Sequence, residues 1–450
     1  MRKILLASTA VLGAAVFAPS VAEAQQAPTV RIGGFFRFLY GYTQQNNNLS
    51  IGTLQNTIGA SDPSLAQNQG LANTVSNGNE LQRQSARLGH NDFSVTTGIN
   101  VFVNGKAANG VTYGAVVQLQ FNQAEGSARV ARRAIMANTT ASIDEAYGFI
   151  ASPRLGQIRF GDEDGPMGGL LNSGFITNFG TGGVYGAWQE FMVRPNRTTT
   201  SPGGLGDNTK IIYLSPQFFG FDFGLSYAFN EGEGSGVGCL NSFASINCDR
   251  VYAVTGNQTF ARSHALPGRV NEFQAMGRWR GNIAGVGLAA SIGTMQSGVI
   301  RSANPITGDI TKNLRSPQVY QAGAQATWMG FTVGGAYTWG NTTFFYIPTV
   351  RGDRNMEQFD VGGSYTFGPF TIGANAFWGS YNRVAAGAHR RYGYSIGGNY
   401  RFAPGLDFVA EFARHEVKQP GNANLVGTLN YLGTDRVKGS VFLTGVRLAF

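Results

Sequence analysis

The chain has 450 residues, a formal net charge of +9 and 13% charged residues, nearly matched by 12% aromatic residues. A soluble domain carries roughly 25% charged residues, and a helical membrane bundle would be far more apolar than a mean hydropathy of −0.10. With 64 glycines and 32 phenylalanines, the composition fits a sheet-rich protein with one face against something apolar. The basic surplus is spread along the chain with no Lys/Arg block, so no nucleic acid is expected as a partner.

The first element is a leader. Arg2 and Lys3 precede an apolar stretch over 4–18, and Ala22-Glu23-Ala24 has the small-x-small form of a cleavage site. Residues 1–24 are therefore expected to form a signal peptide, and 25–450 the mature chain, whose charge is +8 once Arg2, Lys3 and Glu23 are gone. Beyond the leader, no segment reaches the roughly 18 apolar residues of a membrane helix.

The mature chain instead shows period-2 alternation. In 31–43, Ile32, Phe36, Phe38, Tyr40 and Tyr42 share one face, while Arg31, Arg37, Gly41 and Thr43 share the other. The stretch 111–122 places Val111, Tyr113, Ala115, Val117, Leu119 and Phe121 opposite Thr112, Gly114, Val116, Gln118, Gln120 and Asn122. The stretches 221–229, 331–339, 359–367 and 392–402 repeat the pattern. One face is apolar and rich in aromatics. The other is polar or tiny, as a wet lumen requires. The segments run about 9–12 residues, the length of a tilted membrane-crossing strand rather than of a soluble sandwich strand. Tyr40, Tyr42, Trp279, Trp328, Trp339 and Trp378 sit near segment ends, as in interfacial aromatic girdles.

Connections alternate in length. Short ones fall at 104–110, 152–156, 215–220, 280–285, 328–330, 368–369 and 403–405. Long ones, rich in Asn, Gln, Gly and Ser, span roughly 44–85, 123–140, 162–207, 230–270, 297–316, 341–356, 383–390 and 420–435. Seven short hairpins plus one strand at each end make sixteen strands. In lipid every backbone N–H and C=O must be paired, so the sheet must close. The expected fold is all-β: a 16-stranded antiparallel transmembrane barrel, with strand one around Arg31 paired to the last strand around Val437, and wide enough for an aqueous channel. Cys239 and Cys248, in one long loop of an exported chain, are expected to form a local disulfide.

Residues 156–166 end one strand on three successive carboxylates, Asp162, Glu163 and Asp164, before Gly165 and Pro166. The spacing fails the EF-hand pattern, since Gly165 falls at position four. A loose calcium site at Asp162 and Asp164 is a weaker reading than solvated pore-facing acids. The four histidines, His90, His264, His389 and His415, have no nucleophile context, so no enzyme is expected.

Several stretches together resemble the Gram-negative general porins, in the alphaproteobacterial style. Residues 144–166 resemble the hairpin of strands four and five that leads into loop three. Residues 209–230 resemble the hairpin of strands six and seven. The terminal "VFLTGVRLAF" ends on Phe450, like an outer-membrane assembly signal. The resemblance implies a water-filled pore in the outer membrane for small hydrophilic solutes, built as a homotrimer, inserted by the β-barrel assembly machinery into a bilayer carrying lipopolysaccharide. It also implies a third loop, 162–207, folded inward as a constriction. Acids on that loop would face basic wall residues across it. Asp162, Glu163, Asp164 and Glu190 would supply the acids. Arg31, Arg37 and Arg159 have inward parity; Arg87 joins them, although a bulge within 87–93 leaves its parity open. Many relatives place Arg where Asp162 stands here, which leaves the ion preference open. The competing reading is a substrate-specific pore, with a site hidden among Phe175, Phe179, Tyr185 and Trp188 of loop three.

Overall fold

The computed structural model of the chain describes residues 26–45, 89–121, 142–192, 205, 208–230, 269–299, 314–344, 346, 348–383, 387–418 and 436–450. The leader 1–24, Arg87, Cys239 and Cys248 lie outside them. The strands are β1 (Gln26–Gln45), β2 (Asn91–Lys106), β3 (Thr112–Phe121), β4 (Ser142–Ser152), β5 (Gly156–Asp162), β6 (Thr209–Leu214), β7 (Phe221–Asn230) and β8 (Arg269–Ile283) in the first half. The second half comprises β9 (Val286–Val299), β10 (Gln318–Trp328), β11 (Phe331–Gly340), β12 (Arg354–Phe367), β13 (Phe370–Arg383), β14 (Gly387–Ala403), β15 (Leu406–Lys418) and β16 (Arg436–Ala449). Each pairs with its chain neighbours and β16 pairs with β1, closing an antiparallel barrel of sixteen strands.

Closure follows from the backbone. β1 meets β16 from Phe35 opposite Ala449 to Gln45 opposite Gly439. Phe450 completes the seam: its N–H donates to Gly34 O at 3.1 Å, and Gly34 N–H donates to Phe450 O at 2.9 Å. No edge is left at this seam to meet lipid unpaired.

The outward face obeys the alternation. On β7, Phe221, Phe223, Leu225, Tyr227 and Phe229 are exposed, whereas Asp222, Gly224, Ser226 and Ala228 point inward and are buried. Outward aromatics form two bands. Towards the short turns, Phe331, Tyr365, Phe367, Phe370, Tyr400 and Phe402 succeed one another at centroid distances of 4.1 to 6.4 Å. Towards the long loops, Tyr320, Trp339, Tyr337, Phe359 and Trp378 do the same at 4.3 to 6.0 Å. Phe331 and Tyr337 are six residues apart on one strand, or about 20 Å along it, which brackets the apolar core of a bilayer once tilt is allowed for.

Two expectations are corrected. Strands run from 6 residues in β6 to 20 in β1, not uniformly about 9–12. β5 and β6 are short because loop three leaves and rejoins the wall there; long strands such as β1 continue past the apolar band. The inward face is also not uniformly polar. Leu39, Val409, Ala413, Val441 and Leu443 project into the barrel and are buried, as are Met276, Met295, Val319 and Met356. They are covered by chain folded inside.

Candidate functional site

The triplet of acids is split by strand geometry. Asp162 is the last residue of β5 and continues the parity of the outward Ile158 and Phe160; its Oδ1 accepts a hydrogen bond from Thr209 Oγ1 of β6 at 2.5 Å. Gly161, at φ +134°, bends the chain just before the last paired residue of β5. Glu163 and Asp164 then fall inside and are buried. So only two of the three carboxylates enter the lumen, because a one-residue step on a strand reverses the face. Asp162 and Asp164 therefore do not converge, and among the described residues no group of three or more His, Cys, Asp and Glu side chains gathers in a form suited to a metal.

Glu163 lies 3.2 Å from Arg159 Nη1, four residues earlier in the chain. Arg159 also donates from Nε to Gln157 Oε1 at 3.0 Å and lies over the Tyr147 ring at 5.1 Å. Lys210 Nζ donates to the Glu163 carbonyl at 2.5 Å. Burial pushes the Glu163 carboxyl up to about 7; Arg159 and Lys210 pull it down and Asp164 pushes it further up.

From here loop three travels around the inner wall. It contains short helical turns at Pro166–Leu170, Gly183–Tyr185 and Ala187–Glu190. Its backbone, which has no strand partner, is satisfied by inward side chains of the wall, as a buried loop requires. Met167 N–H donates to Gln274 of β8 at 3.2 Å, and Gly174 N–H to Gln325 of β10 at 3.2 Å. Asn375 of β13 accepts from Val184 N–H at 2.9 Å and donates to Ile176 O at 2.8 Å. Glu411 Oε2 of β15 accepts from Thr181 N–H at 2.7 Å, Thr181 Oγ1 at 3.0 Å and Gly183 N–H at 3.2 Å. The Tyr185 hydroxyl donates to Asp360 of β12 and accepts from Gln358 at 3.3 Å. Burial and the adjacent Asp360 raise the Tyr185 phenol well above its ordinary value, so it stays a donor.

The last described stretch of the loop, up to Met192, is fixed by packing and charge. Trp188 stacks on His415 at 3.5 Å and sits with Phe191 and Met192 on Leu39, Val409, Ala413, Val441 and Leu443 of β1, β15 and β16. Phe191 occupies the gap left by Gly41, where a Cβ would fall 2.2 Å from the ring; Phe179 fills the corresponding gap at Gly373, at 2.4 Å. Glu190 closes the loop on β1 and β2. Its carboxylate pairs with Arg37 and accepts from Ser94 and, at 3.4 Å, from Thr96, while Arg37 Nη2 also donates to Thr96 at 3.2 Å.

A second loop, between β11 and β12, also folds inside. Phe344 and Tyr346 are buried beside Met167 and Leu171 of loop three and Met276, Met295, Val319 and Met356 of the wall. Arg269 Nη1 donates to Tyr346 O at 3.2 Å, and the Arg391 guanidinium lies 4.9 Å over the Phe344 ring.

The structure thus brings Arg37 to Glu190 and Arg159 to Glu163, at contact distance rather than across a gap. It leaves Arg31 apart: Arg31 stacks on Phe102 at 4.5 Å, six residues below Arg37 on the same strand, or about 20 Å away. The aromatics Phe175, Phe179 and Trp188 are buried in the seat of the loop, and Tyr185 is bound to Asp360. They hold the loop and present no exposed platform for a solute. Sequence reading missed the wall residues that hold the loop, chiefly Glu411, Asn375, Gln274 and His415, and the inward charges Lys210, Asp222, Arg278, Arg280, Arg401, Asp407 and Arg447. Their signal was parity: each is a polar residue on the inward face of an apolar-alternating strand.

Comparison with known proteins agrees with the barrel fold. A family model described as Gram-negative porin matches residues 7–420. The chain belongs to the Gram-negative porin family. Among solved structures, the anion-selective porin from Comamonas acidovorans is similar at 12% identity and a TM-score of 0.51, over 94% of this chain and 100% of that one. A loop-deletion mutant of OmpT, an outer membrane protein of Vibrio cholerae, is similar at 10% identity and a TM-score of 0.50, with the same coverage of 94% and 100%. A mutant of Rh. blastica porin shares 17% identity at a TM-score of 0.47, over 94% of this chain and 100% of that one. At such identities the first two bear on the fold alone. No curated protein matches the chain. As a porin it is an outer-membrane channel for passive diffusion, in a family of non-enzymatic channels whose members are oligomers that pass small solutes.

Proposed function

We propose that this porin admits small hydrophilic solutes and ions through a lumen narrowed by loop three, 162–207, with Arg37, Glu190, Arg159 and Glu163 at the narrowed level. The observation that carries the reading is the fastening of loop three to inward side chains of β8, β10, β12, β13, β15, β1 and β2. A loop held at so many points narrows the lumen without closing and opening as a gate. Because Glu190 and Glu163 touch their arginines, the acids anchor the loop first and polarise the lumen second. Fixed charges beside low-dielectric walls still orient hydrated dipolar solutes and penalise apolar ones. No bond is made or broken and no energy is coupled.

Assembly follows the same reading. The leader 1–24 is removed on export, Cys239 and Cys248 form a local disulfide in the oxidising compartment, and Phe450, 63% exposed at the seam, presents the terminal aromatic to the assembly machinery. The mature barrel is a homotrimer in a bilayer carrying lipopolysaccharide. Purified protein in planar bilayers should give stepwise conductances that scale with salt, and liposomes should swell with small sugars. Absence of steps and of swelling together would refute the open-channel reading.

A further inference from the structure

At the short-turn end the barrel carries the same charged motif twice, half-way round the wall from each other. Asp222 is the second residue of β7 and Asp407 the second residue of β15, each just after a short turn. Each holds two arginines of the neighbouring strands. Asp222 Oδ1 and Oδ2 accept from Arg278 Nε and Nη2 at 3.0 and 2.7 Å, and Oδ2 also accepts from Arg280 Nη2 at 2.8 Å. Asp407 Oδ2 accepts from Arg447 Nη2 at 2.5 Å, and Arg401 Nε lies 3.7 Å from Oδ1. Register sets this up: Asp222 faces Arg278, and Asp407 faces Arg401 on one side and Arg447 on the other. Arg447 in turn faces Arg37.

Each cluster has two cations and one carboxylate, so each keeps one positive charge. The exposure is as uneven as the charge. Arg280 and Arg401 side chains are 43% and 68% exposed, whereas Asp222 and Asp407 are 8% and 12% exposed. A solute at this mouth meets guanidinium and not carboxylate. Arg31 adds a further exposed guanidinium on the lumen face at the same end. Higher up, Arg159 and Arg37 are matched by Glu163 and Glu190. Glu411 and Asp360 add negative charge at that level, but both are buried beneath loop three, so the exposed positive charge of the two clusters lies at the short-turn mouth, on opposite walls.

We propose that Arg280 and Arg401, each displaced from full neutralisation by a shared aspartate, make the short-turn mouth a recruiting ring for small anions, including solutes that carry a carboxylate or phosphate group. This rests on the channel reading above. Fixed positive charge on a low-dielectric wall raises the local anion concentration and depletes cations. Planar guanidinium also matches carboxylate and phosphate oxygens in pairs. Arg278 and Arg447 remain to neutralise the aspartates when the outer arginines are removed, so the double variant Arg280→Ser with Arg401→Ser leaves the barrel's inner pairs in place.

The test is the reversal potential of single channels in a gradient of potassium chloride, on the full-length protein. Wild type should prefer chloride, and the preference should weaken as salt rises from about 0.1 M to about 1 M, since the screening length shrinks from roughly 10 to 3 Å. The double variant should lose at least about half of the chloride-to-potassium permeability ratio, and Arg280→Lys with Arg401→Lys should retain it. A cation-preferring wild type, or a double variant with an unchanged reversal potential, would overturn the proposal while the conductance steps continued to support the channel. Absence of steps in wild type would overturn both.

Discussion

The described part of loop three, up to Met192, is held near both of its limits by a carboxylate on an arginine, yet the two fastenings differ in kind. At the start, Glu163 meets Arg159 at 3.2 Å, with Tyr147 beside the pair. At the far end, Glu190 takes Arg37, Ser94 and Thr96 together, beside an apolar seat for Trp188 and Phe191. The difference lies in what each end can do when its partner is lost. A buried carboxyl can take up a proton; a guanidinium cannot release one at any accessible pH. Loss of Arg159 therefore leaves a carboxyl that can neutralise itself, whereas loss of Glu190 leaves a guanidinium that cannot.

The largest effect should come from breaking the far end. Glu190→Gln leaves Arg37 buried without its counter-charge, a loss of about 3–5 kcal/mol for a broken buried pair. The loop from Gly183 to Glu190 should loosen, seen as faster amide exchange there and as open-channel noise; quiet channels with unchanged exchange would remove the clasp role. Breaking the near end should cost less. Arg159→Gln should destabilise by about 1–2 kcal/mol at pH 8, and by less at pH 6, because Glu163 then holds a proton. Equal losses at both pH values would show that Glu163 does not titrate in the fold.

The smallest effect is one of slope. The folded Glu163 carboxyl is raised from 4.5 to about 7. Between those values the folded chain binds the extra proton, so this group's contribution to stability falls as pH rises through the window and is fully present only below it. Arg159, Asp164 and Lys210 face the carboxyl and set where the window ends. Glu163→Gln should flatten the stability profile between about pH 4.5 and 7, with little change in stability at the acid end. A profile of unchanged slope would exclude Glu163 as its source.

The contrast between the two faces of the wall explains what the sequence disclosed. The outward face is dictated by one uniform solvent, lipid, so Phe221, Phe223, Leu225, Tyr227 and Phe229 can be read from alternation alone. Strand number, the seven short turns and closure through β1 and β16 follow from the same regularity and from backbone pairing. The inward face is dictated by whatever lies against it. Leu39 and Leu443 look like breaks in a polar face until Trp188 and Phe191 cover them, and Gly41 is a socket for a ring that arrives from 150 residues further along the chain. Arg37 and Arg159 were legible by parity, and Glu190 by its place in loop three. Asp162 was not: adjacency in sequence suggested a cluster of three acids, but Asp162 still belongs to β5 and shares its outward side. Glu411 and Asn375, the residues that bind most of the loop's backbone, carry no local motif, because their partners are backbone groups far away in sequence.

The described part of loop three lies inside the barrel with Phe191 seated on β1. A cysteine pair tests it most directly. A Cβ at Gly41 would fall 2.6 Å from Phe191 Cγ, which places the two Cβ atoms within about 4 Å, inside disulfide reach. In a background where Cys239 and Cys248 are serine, Gly41→Cys with Phe191→Cys should cross-link in outer membranes under mild oxidation, and the linked protein should still form conducting channels. Folded barrels in which the pair stays reduced would contradict the account.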